Sequence, residues 1–287
     1  MKQKKMVQLL GVATALCVLA RCVHLLFFTA PETGFIKNGT LSFIASAGFW
    51  GLLLISAAVS FFPAAFLSHR KPAGNAKLKE YKPLKIFTIT MGIYCFISGI
   101  PQVFSEASAW GLIGLAACIL SGVFFILEVL KDEVKLKNPK ILTLMPAVMF
   151  IYFTVFGFIE ATGVALITEN VLFTLYSCLG ILYFATEGKI LAEVNFRTNS
   201  SQLLPVGFLF FLMSVTYGLP PILLSLIGRA SQVHGGLSVN HFTAVVAGAY
   251  ALCFTLTLFS KNLLAKHKKT TEKLEFSSPE SSTDFYA

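Results

Sequence analysis

Eight long apolar segments divide this chain, and the lysines and arginines between them fall almost entirely in alternate gaps. A helix rises about 1.5 Å per residue, so about 20 apolar residues cross a hydrocarbon core of about 30 Å. The sequence therefore predicts an all-α fold, a polytopic membrane bundle of about eight transmembrane helices. The predicted spans are 7–29, 41–67, 85–105, 109–130, 141–161, 170–191, 203–227 and 241–263.

The composition supports a membrane protein and argues against a soluble one. Hydrophobic residues make up 55% of the chain and charged residues only 13%, whereas soluble domains carry about 25% charged residues. The net charge of +9 does not indicate nucleic-acid binding, because the basic residues lie in short loops and tails beside apolar segments. There we expect them to contact anionic lipid headgroups of the bilayer.

The distribution of basic residues also predicts an orientation. Twenty of the 23 lysines and arginines lie in the N-terminus, the even-numbered gaps and the tail, and the opposite loops contain only Lys37 and Arg229. The positive-inside rule then predicts a multi-pass protein of the cell membrane with both termini in the cytoplasm. The tail 266–287 is charged and Ser-rich, which predicts disorder.

A short motif suggests an internal repeat. Gly-Ile-Pro near the outer end of span three resembles Gly-Leu-Pro in span seven, and the basic loops and spans that flank them correspond. This pattern predicts two parallel four-helix repeats, residues 1–140 and 141–265, with a possible binding site between them. The alternative is a chance match, since glycine and proline are common in membrane helices.

The same elements supply candidates for hinges or kinks. They are Gly99, Pro101, Gly218, Pro220 and Pro221. A proline inside a helix frees a carbonyl one turn earlier, and such a break can bind an ion, act as a hinge or produce a packed kink. The sequence leaves these alternatives open.

Arg21 is the most costly residue in the apolar segments, because burial of a cation in a bilayer costs from about 2.5 kcal/mol upward. Thr14, Cys17, Arg21, His24 and Phe28 follow spacings of three and four residues, so they share one face of the first helix. We expect this polar stripe to face protein or water and not lipid.

Four residues are candidates for substrate binding. Arg21 and His24 either form part of a substrate, anion or proton site or have a structural role, with Arg21 paired to an acid or extended to the interface. Glu160, near the outer end of span five, is the predicted counter-charge of Arg21. Gln102 is the polar side chain nearest the first Gly-Pro break and is expected to point inward.

Other polar residues have local interpretations. Glu128 and Lys131 are three residues apart and are predicted to form an ion pair on the helix surface. Asn240 is the predicted N-cap of span eight, which His241 opens, and His234 lies in a glycine-containing loop. We expect no catalytic residue, metal or cofactor, because the chain has no P-loop, H-E-x-x-H or G-x-S-x-G motif.

The segment from Arg21 to Phe35 resembles one found in a group of uncharacterised bacterial multi-pass membrane proteins. In that group an arginine-bearing first helix runs into an acidic-Pro-Glu-Thr-Gly-aromatic loop. In this chain Ala30 stands at the acidic position, and the resemblance covers about fifteen of the 287 residues. It implies a bacterial family identity and no mechanism.

Two functions remain open at this stage. The leading hypothesis is a small-molecule permease, which predicts a water-filled cavity between the halves, lined by the face that carries Arg21. The alternative is a non-transporting membrane module, such as a sensor, an assembly factor or a subunit of a membrane complex. A module predicts a closed core and an exposed apolar or basic surface on which a partner, such as another membrane protein, docks. An enzyme is not expected, since no catalytic motif is present.

Overall fold

The structure is a computed structural model that describes residues 3–68, 82–105, 109–134, 140–161 and 167–259. Within these residues, eight helices are long and apolar enough to cross a membrane. The only strand-like pairing among them is an isolated bridge in one loop. The predicted all-α bundle is confirmed, and the chain is a multi-pass membrane protein.

Each spanning segment is one long helix, with short irregular turns at some ends. The eight helices are α1 Gln3–Val23, α2 Thr40–Ser68, α3 Lys82–Ser105, α4 Ala109–Val134, α5 Met145–Ala161, α6 Thr168–Leu191, α7 Phe196–Leu226 and α8 Val239–Leu258. A π-helix, His24–Phe28, continues α1, and a 3-10 helix, Lys140–Leu144, precedes α5.

Two helix boundaries differ from the prediction by five residues or more. Helix α7 begins at Phe196, before the predicted start at residue 203, because its first two turns are helical but polar. Hydropathy detects only the part of a helix that is apolar, so it missed these turns. Helix α8 ends at Leu258, short of the predicted residue 263.

Six of the helices form a closed circuit of neighbours. Helices α3 and α4 contact each other, as do α4 and α5, α5 and α6, α6 and α7, α7 and α8, and finally α8 and α3. The hairpin of α1 and α2 packs against α7 of this six-helix ring. Helix α7 has neighbours from both proposed halves, namely α1 and α2 from the first and α6 and α8 from the second. The division into two four-helix halves stays a prediction.

Aromatic side chains fill the centre of the ring. Phe125 of α4 meets Tyr250 of α8 with ring centroids 5.2 Å apart, and Phe150 of α5 meets Phe210 of α7 at 5.7 Å. Phe184 of α6 contacts both Phe125 and Phe150. All five side chains are buried. These contacts cross the ring, so its described centre is closed by tightly packed aromatic side chains.

A second aromatic feature runs along the interface of α6 and α7. Tyr217, Tyr176, Phe210 and Tyr183 stack in that order, with ring centroids 5.6, 5.6 and 5.3 Å apart. The planes of neighbouring rings differ by no more than 17°. Each side chain is at most 5% exposed, so the stack is inaccessible to solvent.

The two glycines of the Gly-Pro elements lie where helices approach closely. A Cβ atom at Gly99 would lie 3.1 Å from Cys118 Cβ of α4, and one at Gly218 would collide with the backbone oxygen of His241 in α8. Glycine therefore permits the close contact of α3 with α4 and of α7 with α8.

The three prolines of these elements lie within helices that continue past them. Pro101 belongs to α3, and Pro220 and Pro221 belong to α7. Their neighbouring glycines have a clear packing role. A hinge at any of these positions stays a prediction.

Candidate functional site

Arg21 lies in the last turn of α1 and is almost completely buried, with 1% of its surface exposed. Thr14, Cys17 and His24 of the same stripe are also buried. The prediction that this stripe faces protein is therefore confirmed for these four residues. A guanidinium group in this position needs hydrogen-bond acceptors and a counter-charge within the protein.

Glu169 supplies the counter-charge. Arg21 Nη2 donates a hydrogen bond to Glu169 Oε2 at 2.6 Å, and the Glu169 side chain is 14% exposed. Glu169 is the second residue of α6, and the positive end of a helix dipole stabilises a carboxylate there. This ion pair joins the α1–α2 hairpin to the six-helix ring.

His241 holds the other oxygen of the same carboxylate. The N–H of Ser238 donates to His241 Nδ1 at 3.1 Å, so Nδ1 is an acceptor and the ring proton lies on Nε2. His241 Nε2 then donates to Glu169 Oε1 at 3.0 Å. The neutral imidazole thus connects α8 to the carboxylate that binds Arg21.

The same histidine helps to start its helix. Ser238 caps α8, and its side chain and that of His241 form a reciprocal capping box. The prediction that Asn240 is the N-cap was wrong, because the helix begins at Val239 and the capping residue must precede it. The cap fixes the imidazole in the orientation that Glu169 requires.

His24 completes the cluster on the side of α2. Arg21 Nη1 donates to His24 Nδ1 at 2.9 Å, and because arginine only donates, the His24 proton lies on Nε2. The His24 imidazole stacks on the Phe49 ring of α2, with ring centroids 5.6 Å apart. The Arg21 guanidinium also lies over the Phe49 ring, 5.6 Å from its centroid. We call Arg21, His24, Glu169 and His241 the Arg21 network.

The chain leaves this network through an irregular turn. A π-helix carries His24, and Thr29 Oγ1 donates to the His24 carbonyl at 3.1 Å. The following loop turns at Gly34, whose φ of 71° favours glycine, and the His234 ring covers this turn. The loops that follow α1 and α7 therefore pack together beside the network.

The structure brings together some of the predicted site residues. Arg21 and His24 are adjacent, as their spacing predicts. The acid that the structure places on Arg21 is Glu169, which was not among the predicted site residues. Gln102 lies in α3 and Glu160 in α5, but their side chains are outside the described part of the structure, so their roles stay predictions.

Sequence reasoning missed Glu169 and His241 as members of the site. Glu169 directly precedes the predicted sixth span, and no role was predicted for it. His241 was predicted only to open the eighth span. The signal that was available is topological. Spans six and eight begin at the end of the bundle where span one ends, which places these two side chains at the same end as Arg21.

The geometry is that of a structural network more than that of an open binding pocket. Both carboxylate oxygens of Glu169 accept hydrogen bonds, and Arg21 has two acceptors. Among the described residues, no three His, Cys, Asp or Glu side chains are arranged to hold a metal ion. No protein-family model, curated protein or solved structure matches this chain, so its function is argued from this geometry.

Proposed function

We propose that this chain is a non-transporting membrane module in which the six-helix ring holds the α1–α2 hairpin through the Arg21 network. The observation that supports this proposal best is the closed centre of the ring, where buried aromatic side chains from α4 to α8 meet. A permease predicts a water-filled cavity lined by the face of Arg21. In the described residues, this face contacts Glu169 and Phe49 instead.

The network suits the positioning of one helical unit on another. Buried charged and polar groups are stable only in the arrangement that satisfies them, so they can select one position among several of similar apolar contact. Here one carboxylate connects α1, α6 and α8 at a single point. Such a connection is what a sensor, or a subunit with a movable hairpin, requires.

We further propose that the protein lies in the cell membrane with both termini in the cytoplasm. The excess of lysine and arginine in the N-terminus, the even-numbered gaps and the tail supports this orientation. The Arg21 network then lies near the outer surface. The basic loops lie at the inner surface, where anionic lipid headgroups bind them.

Thiol labelling tests whether the ring is closed. Ser177 of α6 is fully buried in the ring, and its replacement by cysteine changes little more than one atom. In a Cys178→Ala background, Ser177→Cys is expected to resist a water-soluble maleimide applied from either side of a vesicle. The same thiol is expected to react after denaturation. Labelling is read at each site by mass spectrometry.

Ser231→Cys is the matched control, because Ser231 is exposed in the loop after α7 and its thiol is expected to react from one side. If Ser177→Cys reacts in the folded protein, water reaches the centre of the ring. That result, especially with labelling from both sides, contradicts the module and supports the permease.

A further inference from the structure

Glu187 is a buried carboxyl at the end of α6 opposite to the Arg21 network. It follows Glu169 by eighteen residues of one continuous helix, a separation of about 27 Å. Its side chain is 1% exposed, and the Tyr250 hydroxyl of α8 donates a hydrogen bond to Oε1. The other oxygen, Oε2, is buried and has no hydrogen-bond partner among the described residues.

Among the described residues, the charged and titratable groups around Glu187 do not provide a cation. Glu128 of α4 lies close enough to interact electrostatically with it, and this interaction is repulsive when both acids are ionised. Tyr183, one turn earlier on α6, directs its hydroxyl to the Ala251 carbonyl at 3.5 Å. Lys189 and the neighbouring Lys140 are exposed, and no ion pair of Glu187 is found in the described part of the chain.

Among the described residues, a carboxylate in this position has only the hydrogen bond from Tyr250 to compensate for its lost hydration. Burial of an unpaired charge is so costly that a carboxyl group in an apolar site takes up a proton or a cation. A hard metal cation needs about six or more oxygen ligands. The described residues contain no group of three side chains suited to a metal, whereas a proton needs a single oxygen.

We propose that Glu187 is a proton-binding site of this protein, with a neutral carboxyl group that accepts a hydrogen bond from Tyr250 at neutral pH. This inference concerns the end of the bundle opposite to the Arg21 network and does not depend on the proposed function. The proton binds to a Glu187 carboxylate oxygen and comes from water, so no other reactant is involved. Loss of this proton leaves a negative charge between α4, α6 and α8.

Infrared spectroscopy tests the proposal directly. The purified protein in lipid at neutral pH is expected to show the C=O stretch of a protonated carboxyl group, and this band is expected to move in D₂O. Glu187→Gln removes the band, whereas Glu169→Gln keeps it. Tyr250→Phe keeps the band but shifts it to higher frequency, because the hydrogen bond from the hydroxyl is lost.

Thermal stability gives a second measurement that does not depend on the spectrum. Because the unfolded chain releases this proton at the ordinary glutamate pKa of about 4.3 whereas the folded protein keeps it at neutral pH, the wild-type protein is expected to lose stability as the pH rises from about 4 through neutrality. Glu187→Gln, which mimics the neutral acid, is expected to fold and to lose less stability over the same range. A spectrum in which Glu187→Gln leaves the protonated-carboxyl region unchanged overturns the proposal. The proposal is also overturned if Na⁺, K⁺ or Ca²⁺ stabilises the wild-type protein but not the Glu187→Gln variant, because the site then binds a metal cation and not a proton.

Discussion

Replacement of Arg21 by methionine is expected to lower the free energy of unfolding by about 3–5 kcal/mol, the usual cost of removing one partner of a buried ion pair. Methionine keeps most of the side-chain volume but leaves the Glu169 carboxylate without its cation. Glu169 retains only the hydrogen bond from His241, which is neutral. Reversible unfolding by denaturant in detergent or lipid measures the change.

Arg229→Met is the matched control for this experiment. Arg229 lies in the loop after α7, at the same end of the bundle, and its side chain is exposed. Its replacement is expected to change the stability by no more than about 0.5 kcal/mol. If Arg21→Met lowers the free energy of unfolding no more than Arg229→Met does, the ion pair of Arg21 contributes little to stability.

Gly218→Ala is expected to lower the free energy of unfolding by about 1–3 kcal/mol, as overpacking of a tight contact does. A methyl group at this position collides with the backbone oxygen of His241, so α7 and α8 must move apart. The backbone cannot yield as a flexible side chain does. The shift also moves His241 relative to Glu169, so the Arg21 network is affected through α8.

Gly11→Ala serves as the comparison, because a Cβ atom at Gly11 of α1 would meet no other atom within 4 Å. Alanine favours a helix over glycine by about 0.8–1.0 kcal/mol, so this variant is expected to be at least as stable as the wild type. If Gly218→Ala behaves like Gly11→Ala, the close contact of α7 with α8 is not present in the protein.

The fold class could be predicted from the sequence because a bilayer imposes a length on each helix. The predicted spans correspond to the eight helices. The stripe of Arg21 and His24 could be predicted because helical periodicity is local, so a spacing of three or four residues decides which side chains share a face. Hydropathy was least informative at the start of α7, where the helix is polar.

The partner of Arg21 could not be predicted, because the choice among acids depends on which helices are neighbours. Glu160 and Glu169 flank the same predicted outer loop, and nothing in their local sequence distinguishes them as partners. The aromatic centre is a second example. The phenylalanines of a membrane helix face either lipid or protein, and only the contacts between helices decide which.

A double-mutant cycle on Arg21 and Glu169 tests the central claim most directly, namely that this ion pair holds the hairpin on the ring. Arg21→Met and Glu169→Gln each leave a buried charge without its partner, whereas the double variant removes both charges. The account predicts that the double variant is more stable than either single variant, so the coupling exceeds the larger of the two single losses, which is about 3–5 kcal/mol. Additive losses, with the double variant the least stable, would contradict it.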